Sequence, residues 1–402
     1  MKIYFDNAAT TKIDADVLKE MTPYFDEKYG NPSSLHSIGQ DAAESLSIAR
    51  DTVAKLINAD PKEIIFTSGG TESNNTAIKQ IMWNSKKKHL ITSKIEHPSV
   101  LRTVEYLSDH GFEVTYIDVD EHGLINPDDV KNAITEDTAL VSIMHANNEI
   151  GTIQPIKEIG EICKEKKVIF HCDAVQTVGK IPVDVKDLNV DLMSASSHKL
   201  HGPKGSGFLF VRKGLQLVPL IHGGPQENKK RAGTENIPGI MGFAKAMEIA
   251  VQSLEKNMSQ ITELRDEIIK GALTIPNCYL NGDQEKRLPN NVHLRFDYIE
   301  GEALLIKLDM EGIMGSTGSA CSTKSLQPSH VLMALGLKAV QAHGSLRLTL
   351  SKYNTKEDVK YLLEKLPKIV KELRELSPLN ADNIDSFPDD EEDHHHDLEE
   401  ED

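Results

Sequence analysis

The stretch EIIFTSGGTESNNTAIKQIMWN, Glu63 to Asn84, carries the pattern that organises the rest of the chain. Its first residues are apolar without alternation, as in a strand buried on both faces. Two glycines, Gly69 and Gly70, turn the chain, and a helical run begins near Thr71. The same pairing recurs downstream. HLITSK precedes PSVLRTVEYLSDHG, EVTYIDV precedes NPDDVKNAIT, and ALVSIMH precedes IKEIGEICKEKK. VIFHCDA, DLMSAS and GSGFLFVRKG read as further strands. From about Ile64 to Val211 the pattern predicts an α/β fold, with a mostly parallel sheet covered by helices on both faces.

Beyond this region a long helical pattern runs from about Ile237 to Ala272 and joins two parts. NNVHLRFD and SLRLTLS then read as strands, while GEALLIKLDMEG and KEDVKYLLEKLPKIVKELREL read as helices. The mixture predicts a smaller α+β domain with the extreme N-terminus packed on it. The expected division is a large domain over 13–258, a small domain over 1–12 and 259–378, and a tail over 379–402. A chain of 402 residues, 39% hydrophobic, can bury a core in each part.

No apolar run approaches the roughly 20 residues of a membrane span. The start, MKIYFDNAATT, lacks the basic region and apolar core of a secretory signal, so a cytoplasmic protein is expected. The formal charge of −17 is concentrated at one end: twelve acidic residues and no Lys or Arg lie between Asp382 and Asp402. Removing those twelve leaves −5 for the body. Such a tail is predicted to be disordered. Its three consecutive histidines offer loose ligands for a transition metal, but a solvated tail is the simpler reading and no metal site is assigned. Acidity of this degree argues against nucleic acid as a partner. The four cysteines, Cys163, Cys172, Cys278 and Cys321, form no C-x-x-C pair, and Cys163 in the helical KEIGEICKEKK, Cys172 in the strand-like VIFHCDAV and Cys278 after a turn in TIPNCYL read as small packed hydrophobes.

In open α/β sheets, ligands bind beyond the carboxyl ends of the strands. Four such ends carry unusual polar groups. In FTSGGTESNN, the free N–H groups of a helix start, joined by the Thr71 hydroxyl, make an anion site. In FHCDAVQT, Asp173 ends an apolar strand, where a carboxylate is costly to bury without a partner; Gln176 follows three residues later. In SASSHKLHGPKGSG, Ser196, His198 and Lys199 follow a strand, and a desolvated lysine amine is nucleophilic toward carbonyls. In KIEHPSV, His97 stands where a strand gives way to a helix. Each group also has an ordinary structural reading: turn cap for Asp173, ion pair for Lys199, helix cap for His97. Together, a phosphate cradle, a buried carboxylate, an aromatic stacker and a Schiff-base lysine are what pyridoxal phosphate requires.

The sequence resembles the cysteine desulfurases of the NifS/IscS type, class V aminotransferase-like enzymes of fold type I that depend on pyridoxal phosphate. The resemblance runs from YFDNAATT to SLRLTLSKYNT and rests on YGNPSSLHSIG, TSGGTESNN, IEHPSV, HANNEIGTIQPI, HCDAVQTVGK, SSHKLHGPKG and RAGTEN, in that order. It implies Lys199 as the residue that bonds the cofactor and Asp173 as partner of its ring nitrogen. Gln176 would contact the ring oxygen and His97 would stack on the ring and serve proton transfers. Gly70, Thr71, Ser196 and His198 would hold the phosphate, with Thr234 reaching the phosphate of the other subunit of a homodimer. Asn147 and Arg347 would hold the amino-acid carboxylate, and Asn147 would also touch the cofactor. SGGTE and ASSHK differ slightly from the family's usual SGATE and SGHK, without loss of a functional group.

Cys321 lies in GIMGSTGSACSTKSLQPS, a run of small residues with few apolar anchors that predicts a mobile loop. The resemblance makes Cys321 the thiolate that takes sulfur from L-cysteine as a persulfide, leaving alanine. A long loop of this kind points to a scaffold protein of the IscU or NifU kind as acceptor, in iron–sulfur cluster assembly. Other readings stay open: a class V aminotransferase, a selenocysteine lyase, or a non-catalytic sulfur-scaffold partner. An aminotransferase needs no mobile thiol, and a non-catalytic chain needs no Lys199.

Overall fold

The computed structural model describes residues 2–318 and 328–380. A two-residue strand, β1 (Ile3–Tyr4), opens the chain. Seven strands of one sheet follow: β2 (Ile64–Thr67), β3 (His89–Ser93), β4 (Glu113–Ile117), β5 (Thr138–Ser142), β6 (Ile169–Asp173), β7 (Leu192–Ser196) and β8 (Gly207–Val211). Their spatial order is β2-β8-β7-β6-β5-β3-β4. Every pair is parallel except those that β8 makes with β2 and β7. The cause is length. Only residues 197–206 separate β7 from β8, and a parallel return needs a crossover of about a dozen residues or more. The tight return leaves Lys199 in a short turn at the carboxyl end of β7.

The unbroken apolar character of these strands has a direct cause, because alternate side chains enter two different cores. Ile64 and Phe66 join Val53 and Phe243 from the helices Ser37–Leu56 and Ile237–Gln252. Ile65 joins Ile78 and Val104 from the helices Gly70–Asn84 and Pro98–Ser108. Each such burial contributes about 1.5–3 kcal/mol, so neither face tolerates a polar side chain cheaply. The edge strand β4 is the exception and exposes Glu113 and Tyr116.

The pattern read as one helical stretch over 237–272 is two helices, Ile237–Gln252 and Leu254–Ala272, broken at Ser253. The Ser253 hydroxyl donates to the Ile249 carbonyl at 2.7 Å and so competes with the backbone for that acceptor. Met247 packs under the main sheet, whereas Leu264, Ile268 and Ile269 pack into a separate core. That core is built on β9 (Cys278–Leu280), β10 (Asn291–Phe296), β11 (Ile313–Met314) and β12 (Ser345–Thr349). β10 runs antiparallel to both β9 and β12. β1 pairs with β11, and Ile3 and Phe5 are buried in the same core, so the first residues of the chain are built into its last part. The run around Cys321, read as a loop from Gly312 onward, thus begins with strand β11. No helix among the described residues is long and apolar enough to cross a membrane.

Asp14 ties the two parts together. It caps the helix Ala15–Met21 by accepting from the Asp16 N–H at 3.0 Å. It also pairs with Lys352 Nζ and accepts from Tyr353 Oη at 3.0 Å, both just beyond β12. Burial works to raise its pKa, but the hydrogen bonds from Lys352, the Asp16 N–H and Tyr353 hold the carboxyl below its ordinary value. A depressed carboxylate stabilises the fold above its unfolded pKa of about 3.9, and that contribution fades as pH falls through the folded value. Asp14→Asn is therefore expected to melt below the parent at pH 7. Thermal melts across pH should show the gap closing as pH falls from the unfolded pKa of about 3.9 through the lower folded value.

Candidate functional site

The carboxyl ends of β6 and β7, with the starts of the helices Gly70–Asn84 and Pro98–Ser108, enclose a cavity of about 260 Å³. Of the twelve positions singled out in the sequence, nine line it: Gly70, Thr71, His97, Asp173, Gln176, Ser196, His198, Lys199 and Arg347. Asn147 and Thr234 do not, and Cys321 lies outside the described residues.

The helix start in the cavity lining suits an anion. Gly69 has φ 156° and ψ −175°, a region essentially closed to other residues. A Cβ on Gly70 would come within 2.7 Å of Val175 Cγ2, so the helix start passes close to the turn after β6 and an added methyl would require that valine to shift. The first-turn N–H groups of this 15-residue helix have no acceptors within it. Thr71, Ser196 and His198 stand around them. His198 Nδ1 lies 3.1 Å from Thr10 Oγ1. Burial, with the charges of Lys199, Lys204 and Lys180, pushes its pKa down to about 4, so it is a neutral hydrogen-bonding group at pH 7. Glu72, in the first turn, accepts from the Ser68 N–H at 2.9 Å and pairs with Arg231 at 2.9 Å. That pair anchors the segment carrying Thr234, whose own side chain is exposed.

The lining also holds a buried carboxylate with a histidine beside it. Asp173 is 6% exposed; Oδ1 accepts from the Val175 N–H at 2.9 Å and Oδ2 from Asn74 Nδ2 at 2.7 Å. It does cap its turn, yet a carboxylate with one donor on each oxygen keeps acceptor capacity. Asn74 also donates to Ser99 Oγ at 2.8 Å, and Ser99 Oγ lies 2.8 Å from His97 Nδ1. His97 Nδ1 accepts from the Ser99 N–H at 3.1 Å as well, so His97 caps its helix and lines the cavity at once. Burial lowers the pKa of His97; Asp173 acts against this, and Lys199 and His330 add to it. With Nδ1 serving as acceptor, the proton of the neutral ring sits on Nε2.

Lys199 Nζ reaches across to the N-terminal segment and donates to the carbonyls of Ala8 at 2.5 Å and Ala9 at 2.8 Å. Gln176 Nε2 donates to the same Ala8 carbonyl at 3.2 Å. Arg347, on β12, is 2% exposed and donates to Asp6 Oδ1 at 3.0 Å, Asn148 O at 3.1 Å and Gly318 O at 2.7 Å. Its Nε is buried with no partner, a spare donor at the cavity wall. Burial raises the pKa of Asp6, and Arg347 pulls it back.

One assignment needs correcting. Asn147 is fully buried and occupied: its Oδ1 accepts from the Glu149 and Ile150 N–H groups, and its Nδ2 donates to Ile95 O. It builds the turn after β5, and its neighbour Asn148 is the asparagine that lines the cavity. Adjacent residues in a turn point different ways, so HANNE alone does not say which amide faces the site. Asn74, Ser99 and Asp6 were not singled out either. Asn74 has a sequence signal, since it falls one helical turn after Gly70 on the face that carries Ala77 and Ile78 into the core. Its Oδ1 is buried without a partner.

Comparison with known proteins points the same way. The aminotransferase class-V family model matches residues 3–362. The chain is 54% identical over 379 residues to a cysteine desulfurase IscS of Methanosarcina thermophila, covering 94% of each. It is 53% identical over 380 residues to the cysteine desulfurase IscS of Dictyoglomus turgidum, covering 94% of this chain and 96% of that one. Among solved structures, a NifS-like protein superposes with a TM-score of 0.88 at 43% identity, over 93% of this chain and all of that one. SspA in complex with cysteine superposes with a TM-score of 0.79 at 38% identity, over 88% of this chain and all of that one.

Proposed function

Because the chain belongs to the class-V aminotransferase family and is a cysteine desulfurase, we propose that its cavity binds pyridoxal 5′-phosphate and L-cysteine and passes the sulfur to Cys321. The observation that carries the reading is the donor set gathered in the lining of one cavity: a helix start with hydroxyls, a buried carboxylate and an amine. Such a set fits a phosphorylated aromatic aldehyde. The helix start at Gly70, Thr71, Ser196 and His198 would hold the phosphate; Asp173 would meet the ring nitrogen, His97 the ring face and Gln176 the ring oxygen. When bound, pyridoxal phosphate supplies an aldehyde that captures the substrate amine and a ring that withdraws electrons from its Cα.

The chain's own groups do the rest. Arg347 takes the substrate carboxylate with its planar fork, beside Asn148. Lys199 Nζ, once released, takes the proton from Cα and later returns one. His97, neutral at pH 7, exchanges protons through Nε2. The substrate sulfur is then transferred to the Cys321 thiolate, and the carbon fragment leaves as alanine. Two observations support Cys321 for this step. Gly318 lies in the cavity wall three residues before it, and three residues of chain span at most about 11 Å. The cysteines among the described residues are all buried, with burial pushing Cys163 and Cys278 up to about 12 and Cys172 well above its ordinary value. A buried thiol of that kind is inert.

The exposed Thr234 belongs, on this reading, to the cavity of a second subunit, and the exposed Phe25, Tyr29 and Leu35 suit a homodimer surface. A scaffold protein of the IscU or NifU kind would accept the sulfur for iron–sulfur assembly. The function is tested by its products: L-cysteine with a reducing thiol should yield alanine and sulfide together, whereas a keto acid would favour an aminotransferase. Arg347→Ala should raise the Michaelis constant for L-cysteine by about tenfold to a hundredfold, for loss of a charge-assisted hydrogen bond. The bound cofactor should stay. Steady-state kinetics and the visible spectrum check both, and cofactor loss with an unchanged Michaelis constant would give Arg347 another role.

A further inference from the structure

Behind Lys199 lies a second, smaller cavity of about 60 Å³ between the two cores, lined in part by Asn7, Asp14, Lys180, Lys199, His201 and Lys352. Lys180 is the group there that the proposed chemistry does not use. Its Nζ donates to Gln176 Oε1 at 2.9 Å, across one turn of the segment after β6. Gln176 Nε2 then donates to the Ala8 carbonyl, which also accepts from Lys199 Nζ. One chain of hydrogen bonds therefore joins the small cavity to the amine of the large one.

A protonated lysine can only donate, whereas an amide can present either end. We propose that Lys180 is a positioning residue that locks the Gln176 side chain with its oxygen inward and its N–H₂ toward the large cavity. Gln176 is thereby obliged to meet a ligand oxygen as a donor. Without the lock the amide is free to turn its oxygen outward, opposite the oxygen it should bind. The inference rests on the reading that Gln176 faces the ring oxygen of pyridoxal phosphate. Burial, with the charges of Lys199 and Arg347, brings Lys180 down to about 7, so the donor-only lock holds below that pH and loosens above it as the amine gains a lone pair. The other titratable groups at the small cavity are Asp14, held ionised by Lys352, and His201, pushed down to about 4.

The test uses the protein loaded with pyridoxal phosphate, without substrate, and reads the pH midpoint of its visible absorption band. A donor on the ring oxygen stabilises negative charge there and weakens its hold on the neighbouring proton, so losing the donor raises the midpoint. Lys180→Met should raise it by about one pH unit, the size expected for one hydrogen bond to a charged group. Lys180→Arg, also donor-only, should restore the parent value. Gln176→Met should raise the midpoint similarly, and the double variant should show no further rise. A Lys180→Met shift that persists in the Gln176→Met background would mean Lys180 acts by its charge alone and would overturn the lock. So would an unchanged midpoint in Lys180→Met beside a shifted one in Gln176→Met. If Gln176→Met itself leaves the midpoint unchanged, the placement of Gln176 is what fails. Should Lys180→Met not fold, Lys180→Gln keeps a polar group in the cavity but gives up the donor-only character, and it should show the same rise.

Discussion

Cys321→Ser is expected to bind pyridoxal phosphate and L-cysteine and then form no alanine beyond background. The substitution nearly preserves size, so cofactor binding and the carboxylate contact at Arg347 should survive. Two properties of the thiol are lost together. Free cysteine has a pKa of about 8.5 and is partly thiolate near neutral pH, whereas a serine hydroxyl is not ionised there. Serine oxygen also cannot carry a sulfane sulfur. No described cysteine can substitute, because Cys163, Cys172 and Cys278 are buried. The rate should fall by at least about a thousandfold, the scale of removing an activated nucleophile. Alanine release measured under single-turnover conditions checks this. Full turnover in the variant would point to a lyase that expels the substrate sulfur directly.

Lys199→Ala should be as severe for a different reason. Lys199 is the amine that meets both Ala8 and Ala9 carbonyls beside Asp173 and His97. On the proposed function, its removal would take away the covalent hold on the cofactor and the base for Cα. General-base removal alone costs about 10²–10⁴-fold. The variant should lose the visible band and all borohydride-fixed attachment of cofactor to the chain. A borohydride-stable linkage in the variant would assign the attachment to another lysine.

Much of this architecture is legible in the residues themselves. Unbroken apolar strands such as IIFT require two covered faces, and Gly69 with Gly70 marks a close approach at a helix start. Asp173, Ser196 and Lys199 could be placed because strand ends define where ligands bind in such sheets. The direction of β8 was not marked by composition; it follows from the shortness of residues 197–206. The break at Ser253 was hidden because serine does not interrupt an apolar pattern; only its backbone, at φ −104° and ψ 10°, marks where the helix ends. The choice between Asn147 and Asn148 depends on turn geometry that no periodicity records. Asp6, Asn74 and Ser99 act by pairing with residues distant in sequence, and single positions carry no trace of such partners.

The most direct measurement is one turnover with sulfur-labelled L-cysteine, one equivalent per active site and no added thiol, followed by peptide mass analysis. The account predicts one alanine per retained sulfur, with the label on the peptide containing Cys321 as an added sulfur atom. Alanine formed with the label free in solution, and the Cys321 peptide unchanged, would contradict it.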